Sequence, residues 1–193
     1  MAKKGREQKR SSWGKKQWFK VMAPDIFDKD KELVETPAFK SDQLMGRIVE
    51  LPMTELTKSF KHYKYKVFLK IVDVKGEKAN TVYWGHELLR DVISRMVRKR
   101  TSRIDLIEDV TTKDGVKVRV KLLLITRGRI QTTLKSRIRK EMKAYLEEQI
   151  SKMTLKEFLD SFLSETFQRG LAERVKSLHP TAYVDVRKTE VLE

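Results

Sequence analysis

Two segments of the chain alternate apolar and cationic side chains with a period of two, which is the pattern of a half-buried β-strand. In the first, apolar residues fill the odd positions from 63 to 71, and Lys64, Lys66 and Lys70 lie on the other parity. In the second, residues 116–122 place apolar residues at the even positions and basic residues between them. Because a helix repeats every 3.6 residues, neither segment could bury one apolar face as a helix. The middle of the chain is therefore predicted to be β-rich.

Glycine-containing turns connect these strands to neighbouring strands. Gly76 predicts a hairpin between the first segment and a strand at 81–84. Asp114-Gly115 is a strong hairpin turn, and it pairs the second segment with residues 104–112. Residues 47–51 are a weaker strand candidate.

Apolar residues at three- and four-residue spacing predict four helices. The first interrupts the β-rich part, and the other three lie in the last third of the chain, where Thr154 and Glu157 form a capping box. The final element is predicted to be a short strand at 183–186. The helical segments are 88–97, 138–150, 155–162 and 167–178.

These patterns predict an α+β fold. We expect a β-barrel-like antiparallel sheet core with one central helix and a C-terminal helical part, preceded by a basic disordered arm. The arm is expected at 1–16, the β-rich core at 17–134, and the helical part with its short final strand at 135–193. Trp18 follows the arm, and its apolar neighbours predict that it packs into the core.

The positive charge of the chain is concentrated in three segments. The net charge is +16, with 43 Lys and Arg against 27 Asp and Glu. Residues 1–20 carry +7, residues 95–103 carry +5 and residues 127–143 carry +6, so the remainder is slightly acidic. Clustered cations repel one another, and an anionic partner removes that cost. Nucleic acid is the commonest partner of this kind, and an anionic membrane surface is the second.

We therefore predict that the three basic segments bind RNA. Residues 127–140 combine cations, hydroxyls and a glutamine, which are the groups that contact phosphates and 2′-hydroxyls. Trp13, among the cations of the arm, offers a stacking face for a base. A solvated tail or helix face is the alternative reading, and cations that end the first helix also suit its macrodipole. The predicted RNA-binding residues are Lys3, Lys4, Arg6, Lys9, Arg10, Trp13, Lys15, Lys16, Arg98, Lys99, Arg100, Arg103, Arg127, Arg129, Lys135, Arg137, Arg139 and Lys140.

The chain lacks the residue patterns of an enzyme. It has no cysteine, and its three histidines are far apart in sequence, so we expect no metal site. Its glycines are scattered singles that predict turns or, at Gly85, the start of the first helix, rather than a phosphate loop. Adjacent carboxylates such as Glu147 and Glu148 point apart. We expect no catalytic residue, no cofactor and no small-molecule substrate.

No membrane partner is expected. The longest apolar run is far shorter than the ~20 residues that span a bilayer, and no apolar stretch follows the basic N-terminus as in a secretory signal. A polybasic anchor at 1–20 is a possible use of the charge, but Ala2 stands where myristoylation requires glycine. Absence of cysteine fits a reducing, intracellular compartment.

Six blocks of sequence, in order, resemble an archaeal and eukaryotic small-subunit ribosomal protein family, the S3Ae family (S-three-Ae, or e-S-one). Together they span residues 18–192, about nine-tenths of the chain. The shorter chain indicates an archaeal member. The blocks are 18–24 followed by Phe27, 46–50, 85–91, 110–115 with Arg119, 137–140 with Met142, and Pro180 with Arg187 and Lys188.

The resemblance implies a structural constituent of the small ribosomal subunit. It implies a β-barrel-like domain that binds small-subunit rRNA on the platform near the mRNA exit. Neighbouring ribosomal proteins, and mRNA near the exit, are the further partners it implies, and it implies no catalytic residues. The alternative is an RNA-binding translation or RNA-maturation factor that exchanges on and off its target. A peripheral membrane protein and a magnesium-dependent nuclease fit the residues less well.

Overall fold

The computed structural model describes residues 16–27 and 31–192. Of the predicted arm, Lys16 alone falls in this part, and residues 1–15 lie outside it. Two 3-10 turns, Ser41–Gln43 and Phe60–His62, occur between the longer elements. The strands are β1 (Gln17–Met22), β2 (Glu32–Ala38), β3 (Ile48–Pro52), β4 (Tyr65–Lys75), β5 (Lys78–Leu88), β6 (Arg103–Thr111), β7 (Lys117–Thr126) and β8 (Thr181–Leu192). The helices are α1 (Met53–Thr57), α2 (Arg90–Met96), α3 (Thr132–Ile150), α4 (Leu155–Leu163) and α5 (Thr166–Lys176).

The strands form one mixed sheet that branches at β5. One edge of β5 pairs antiparallel with β4, and β4 pairs with β3. The other edge is shared, because β1 pairs parallel with residues 78–80 and β8 pairs antiparallel with residues 85–87. Beyond them lie β2 on one side and β7 and β6 on the other. Among the described residues no pairing joins β2, β3 and β6, so the sheet is open. The predicted α+β class is confirmed, and the parallel β1–β5 pair makes the sheet mixed rather than antiparallel throughout.

The two segments of period two are the strands that line the core. In β4 the alternate residues Tyr65, Val67, Leu69 and Ile71 are buried, whereas Tyr63 precedes the strand and is half exposed. Both predicted hairpins are present, and their turn glycines, 76 and 115, have φ of +62° and +77°. Glycine adopts this left-handed conformation without the steric penalty that other residues incur.

The helical predictions are confirmed with two changes. Thr154 and Glu157 form the predicted capping box at the start of α4. The first predicted helix is shorter than its apolar pattern, because Leu88 ends β5 and α2 begins two residues later. A second core helix, α1, was not predicted. Its five residues are too few to show a helical period, although Met53 and Leu56 are buried.

The final strand is much longer than predicted. β8 has 12 residues instead of four, and it lies between β5 and β7. Most of β8 was not predicted because its polar side chains interrupt the apolar alternation that indicates a strand. They are matched by ion pairs: Glu190 lies 2.7 Å from Lys188 of the same strand and 3.0 Å from Lys121 of β7. The division of the chain at residues 16 and 134 stays a prediction.

The prediction that Trp18 packs into the core is wrong. Its side chain is 59% exposed, while Phe19 and Val21 are buried with Ala79 in a small cluster beneath β1. Successive residues of a strand point to opposite faces, and burying Phe19 therefore directs Trp18 to solvent.

Gly85 is also placed differently from its prediction, since it lies inside β5 and not at a helix start. A Cβ atom at this position would lie 2.2 Å from the backbone oxygen of Thr189 in β8. Real contacts are never so short, so the β5–β8 approach requires glycine here.

We expect Gly85→Ala to lower the free energy of unfolding by about 1–3 kcal/mol, because the backbone of β8 must move away from the new methyl group. Urea denaturation followed by circular dichroism measures this. Gly128→Ala is the matched control, since a Cβ atom there meets nothing within 4 Å. Equal effects of the two substitutions would contradict the close approach.

A fully buried histidine lies beside this contact. The Nδ1 atom of His86 is 2.6 Å from the Tyr83 hydroxyl and 2.8 Å from Oγ1 of Thr189, and its ring stacks on Phe162 with centroids 4.0 Å apart. Burial disfavours the charged imidazolium and lowers the pKa of His86 to about 3.

Acid is therefore expected to destabilise the fold through His86. In the unfolded chain the histidine has a pKa of about 6.5, so it is protonated between about pH 6.5 and pH 3, where His86 of the folded chain stays neutral. The free energy of unfolding therefore falls as the pH drops through this range, by up to about 1.4 kcal/mol per pH unit. NMR of the ring provides the check. Resonances of His86 that remain those of a neutral imidazole at about pH 5 would confirm it, and protonation above that pH would refute it.

Candidate nucleic-acid interface

The structure brings two of the three basic segments together. β6 and β7 are paired over their full length, and Arg103 at the start of β6 lies opposite Ile125 near the end of β7. The loop that precedes β6 and the loop that follows β7 therefore meet at one end of the sheet. α3 begins at Thr132, directly after the second loop.

Two buried hydroxyl residues hold these loops in a fixed relation. Ser102 N donates to Thr126 Oγ1 at 3.1 Å, and Thr126 N donates to the backbone oxygen of Ser102 at 3.0 Å. The Thr126 hydroxyl also lies 2.6 Å from the oxygen of Gly128, and Ile130 N donates to Ser102 Oγ at 3.2 Å. Neither Ser102 nor Thr126 was predicted from the sequence, because a hydroxyl at a strand end carries no local signal.

The cations on the two loops are exposed and lack carboxylate partners. Thr101 Oγ1 donates to the oxygen of Arg98 at 2.7 Å and closes the turn after α2, in which Arg100 has a φ of +68°. Within the described part of the chain, none of the cations below forms a salt bridge. We call the following nine residues the basic surface: Arg98, Lys99, Arg100, Arg127, Arg129, Lys135, Arg137, Arg139 and Lys140.

Arg103 is placed differently from the other predicted residues. Its Nε and Nη2 atoms bind Oδ1 of Asp105 at 3.1 and 2.9 Å, so much of its charge is satisfied within the protein. Arg139 reaches from α3 to the backbone oxygen of Asp105 at 3.3 Å and keeps its charge. The structure thus favours Arg139 over Arg103 as an RNA contact.

The start of α3 adds to the positive potential. Ile138 is fully buried, and at 100° per residue Arg137 and Lys140 lie about 60° apart on the outer side of the helix, with Arg139 turned toward β6. No acidic residue occurs in the first turn. The free N–H groups of a helix N-terminus attract anions, and Lys135 in the first turn of α3 adds a positive charge there.

Lys16, the last residue of the predicted arm, lies far from the basic surface. β1 pairs with the first residues of β5, whereas Thr126 and Thr181 lie beyond its last residue, so Lys16 and the basic surface are at opposite ends of the sheet. Lys16 Nζ lies 5.7 Å from the centroid of the Phe39 ring. The remaining predicted arm residues fall outside the described residues: Lys3, Lys4, Arg6, Lys9, Arg10, Trp13 and Lys15.

Acidic residues neutralise cations elsewhere on the protein. Arg119 binds both carboxylate oxygens of Asp109, at 2.7 and 2.8 Å, and this hydrogen bonding lowers the pKa of Asp109. Arg174 on α5 binds Glu141 at 3.2 Å and Glu148 at 2.8 Å. These pairs leave the basic surface as a region of unbalanced charge.

Residues 16–27 and 31–192 show neither a metal-binding cluster nor a membrane-spanning helix. No three His, Asp or Glu side chains there come together in a way that could hold a metal ion. In the same residues, no helix is long and apolar enough to cross a bilayer.

A profile of the Ribosomal S3Ae family matches residues 4–193. The chain belongs to this family. The match covers nearly the whole chain, so the resemblance found in six separate blocks is confirmed.

Relatives of this S3Ae-family protein include proteins named small ribosomal subunit protein eS1. That of Methanopyrus kandleri is 38% identical over 188 residues, covering 95% of this chain and 89% of the relative. That of Archaeoglobus fulgidus is 36% identical over 196 residues, covering 100% and 92%. That of Desulfurococcus amylolyticus is 33% identical over 192 residues, covering 100% and 90%. All three are archaeal proteins, in agreement with the prediction of an archaeal member.

Thr126→Val tests how the basic surface is held together. Valine keeps the shape but leaves the Ser102 N–H without its partner, so we expect the free energy of unfolding to fall by about 1–3 kcal/mol. Amide exchange at residues 102 and 130 should also accelerate. Thr111→Val is the control, because Thr111 is exposed in β6. The hydroxyl network would be ruled out as the link if both variants matched the parent in stability and exchange.

Proposed function

We propose that this S3Ae-family protein is a structural constituent of the small ribosomal subunit and binds small-subunit rRNA through the basic surface. The observation that carries the proposal is the meeting of two cationic loops and a helix start with no carboxylate partner among the described residues. The relatives named as small ribosomal subunit proteins support the same assignment. The protein would act in the cytoplasm, within the subunit, and not as an enzyme.

The mechanism is electrostatic and geometric. Arginine donates two parallel hydrogen bonds to phosphate oxygens, and each phosphate that is neutralised releases condensed counterions. Contacts to phosphate position the protein without reading sequence, and specificity comes from the shape of the RNA. The β6–β7 hairpin and the Ser102–Thr126 link supply the rigid spacing that such recognition needs.

The family resemblance also supports a proposal for the position of the protein within the subunit. It implies the platform near the mRNA exit, with neighbouring ribosomal proteins and mRNA as further partners. The arm at 1–16 would provide a second RNA contact through its cations and Trp13. Because β1 begins at the opposite end of the sheet from the basic surface, the arm would reach a separate RNA segment.

Reversing three charges on α3 tests the proposal. We expect Arg137→Glu, Arg139→Glu and Lys140→Glu together to weaken subunit incorporation while the fold persists. Each phosphate contact contributes about 0.7–0.9 to the slope of log affinity against log salt, so binding to an rRNA fragment should lose a slope of about 2–3. Gradient cosedimentation at low and at about half-molar salt measures incorporation, and retention after the salt wash identifies a constituent.

A matched triple variant controls for charge alone. Lys113→Glu, Lys117→Glu and Lys156→Glu change the same net charge at the other end of the β6–β7 hairpin and the start of α4, and should leave incorporation unchanged. If the α3 variant is incorporated normally with intact circular dichroism, α3 is not part of the interface. If the parent protein washes off the subunit, the exchanging-factor alternative replaces the structural one.

A further inference from the structure

An exposed pair of aromatic rings lies outside the basic surface. Phe60 is 87% exposed and Tyr63 is 50% exposed. Their ring centroids are 6.2 Å apart, and the ring planes are inclined by 27°. Burying a phenylalanine side chain is worth about 1.5–3 kcal/mol, and this gain is forgone at Phe60 unless a partner covers the ring.

The turn that carries the two rings is held from both sides. The backbone N–H of Tyr63 donates to the oxygen of Phe60 at 3.3 Å. His62, between the two aromatic residues, lies with Nδ1 2.9 Å from Thr57 Oγ1 and Nε2 3.1 Å from the backbone oxygen of Leu163. The turn is thus fixed between α1 and the end of α4, and the rings are presented in a defined orientation.

The charge around the pair favours nucleic acid over protein. Residues 58–64 contain three lysines and no acid. Lys58 and Lys61 are exposed and form no salt bridge with the carboxylates that the structure describes, whereas Lys64 is bound to Asp185 at 3.0 Å and lies 3.8 Å from Glu165. Protein interfaces are depleted in lysine. Aromatic faces flanked by cations are how proteins bind single-stranded nucleic acid.

The pair lies at the same end of the sheet as the basic surface. Leu89 N, just past the end of β5, donates to the oxygen of Lys64 at 2.9 Å. A surface groove runs from Lys64 along the start of β8, from Thr181 to Asp185. At its far side Arg127 N donates to the oxygen of Pro180 at 3.3 Å. The aromatic pair and the loop of Arg127 thus lie on either side of this groove, which Glu165 and Asp185 also line.

We propose that Phe60 and Tyr63 form a stacking platform for unpaired bases of single-stranded RNA, with Lys58 and Lys61 contacting the adjacent phosphates. The platform rests on the proposed function for the class of its ligand. It deepens that function, because it adds base stacking to an interface whose other contacts are to the RNA backbone.

The test uses the full chain and a single-stranded oligouridine that carries 2-aminopurine. We expect Phe60→Ala to weaken binding about 5- to 100-fold, the equivalent of one lost base–aromatic stack. The salt slope should stay unchanged, since no phosphate contact is removed. Phe60→Trp should retain the affinity and the fluorescence quenching of a stacked 2-aminopurine. Lys61→Gln should lower the slope by about 0.7 instead.

Ile48→Ala is the control for loss of an exposed apolar side chain, because Ile48 is 49% exposed in β3 and belongs neither to the basic surface nor to the predicted arm. Unfolding in urea confirms that each variant remains folded. If Phe60→Ala and Tyr63→Ala bind the oligouridine as tightly as Ile48→Ala does, the platform is overturned. Variants that bind RNA normally but fail to enter the subunit would also overturn it, in favour of a protein contact.

The outcome separates this proposal from the proposed function. If the charge reversals on α3 weaken RNA binding and the aromatic substitutions do not, the stacking platform is refuted and RNA binding by the basic surface is supported. If the parent protein binds neither the oligouridine nor an rRNA fragment, both fall together.

Discussion

The pairing of β5 with β8 is the contact on which the two halves of the sheet depend. β5 gives the first part of one edge to β1 and the last part to β8, so the strands before it and after it are joined through this strand. The approach is close enough to require Gly85, and it buries His86 and Thr189 next to it. Pro180, the residue before β8, accepts a hydrogen bond from Arg127 N, so the start of β8 adjoins the loop that carries Arg127. The geometry of the basic surface thus follows from a contact made elsewhere in the sheet.

Charge is partitioned within one small fold. The carboxylates of Asp109, Glu141, Glu148 and Glu190 each bind a nearby cation, so charge is locally balanced around them. The nine cations of the basic surface have no such partners among the described residues. The protein holds mutually repelling groups close together through two neutral hydroxyls and a hairpin. That arrangement costs stability in isolation, and an anionic ligand offsets the cost.

Local patterns predicted the elements whose identity depends on their own residues. The alternation in β4 and β7 and the capping box of α4 are of this kind. Trp18, Gly85 and β8 were predicted wrongly because their environments depend on tertiary contacts. Trp18 faces solvent because the buried face of β1 is the one that carries Phe19, and Gly85 lies against a backbone oxygen of Thr189. The length of β8 depends on its pairing with β5 and β7. A strand with charged residues on both faces looks like surface until its neighbours are known.

The candidate site was predictable only in part. The hairpin predicted at Asp114-Gly115 brings together the loop before β6 and the loop after β7 if its pairing is continued to the ends of the strands. Residue 103 lies opposite residue 125 in that hairpin. The position of β1 at the other end of the sheet had no such local signal. Nor did the exposure of Phe60, which sequence alone could not separate from a core residue. Its spacing from Tyr63 between lysines was the available clue.

The long connection between β5 and β8 has a consequence for how the protein is made. His86 and Thr189, which meet across the pair, are 103 residues apart. At about 5–20 residues per second, the ribosome takes roughly 5–20 s to supply the second after the first. Until β8 is made, the edge of β5, and that of β7 once it has been synthesised, lack their partner strand on the nascent chain. Unpaired strand edges invite aggregation, and charges such as Lys117, Arg119 and Lys121 are the kind of residue that discourages it. The alternation that defines β7 in the folded protein also protects it before folding is complete.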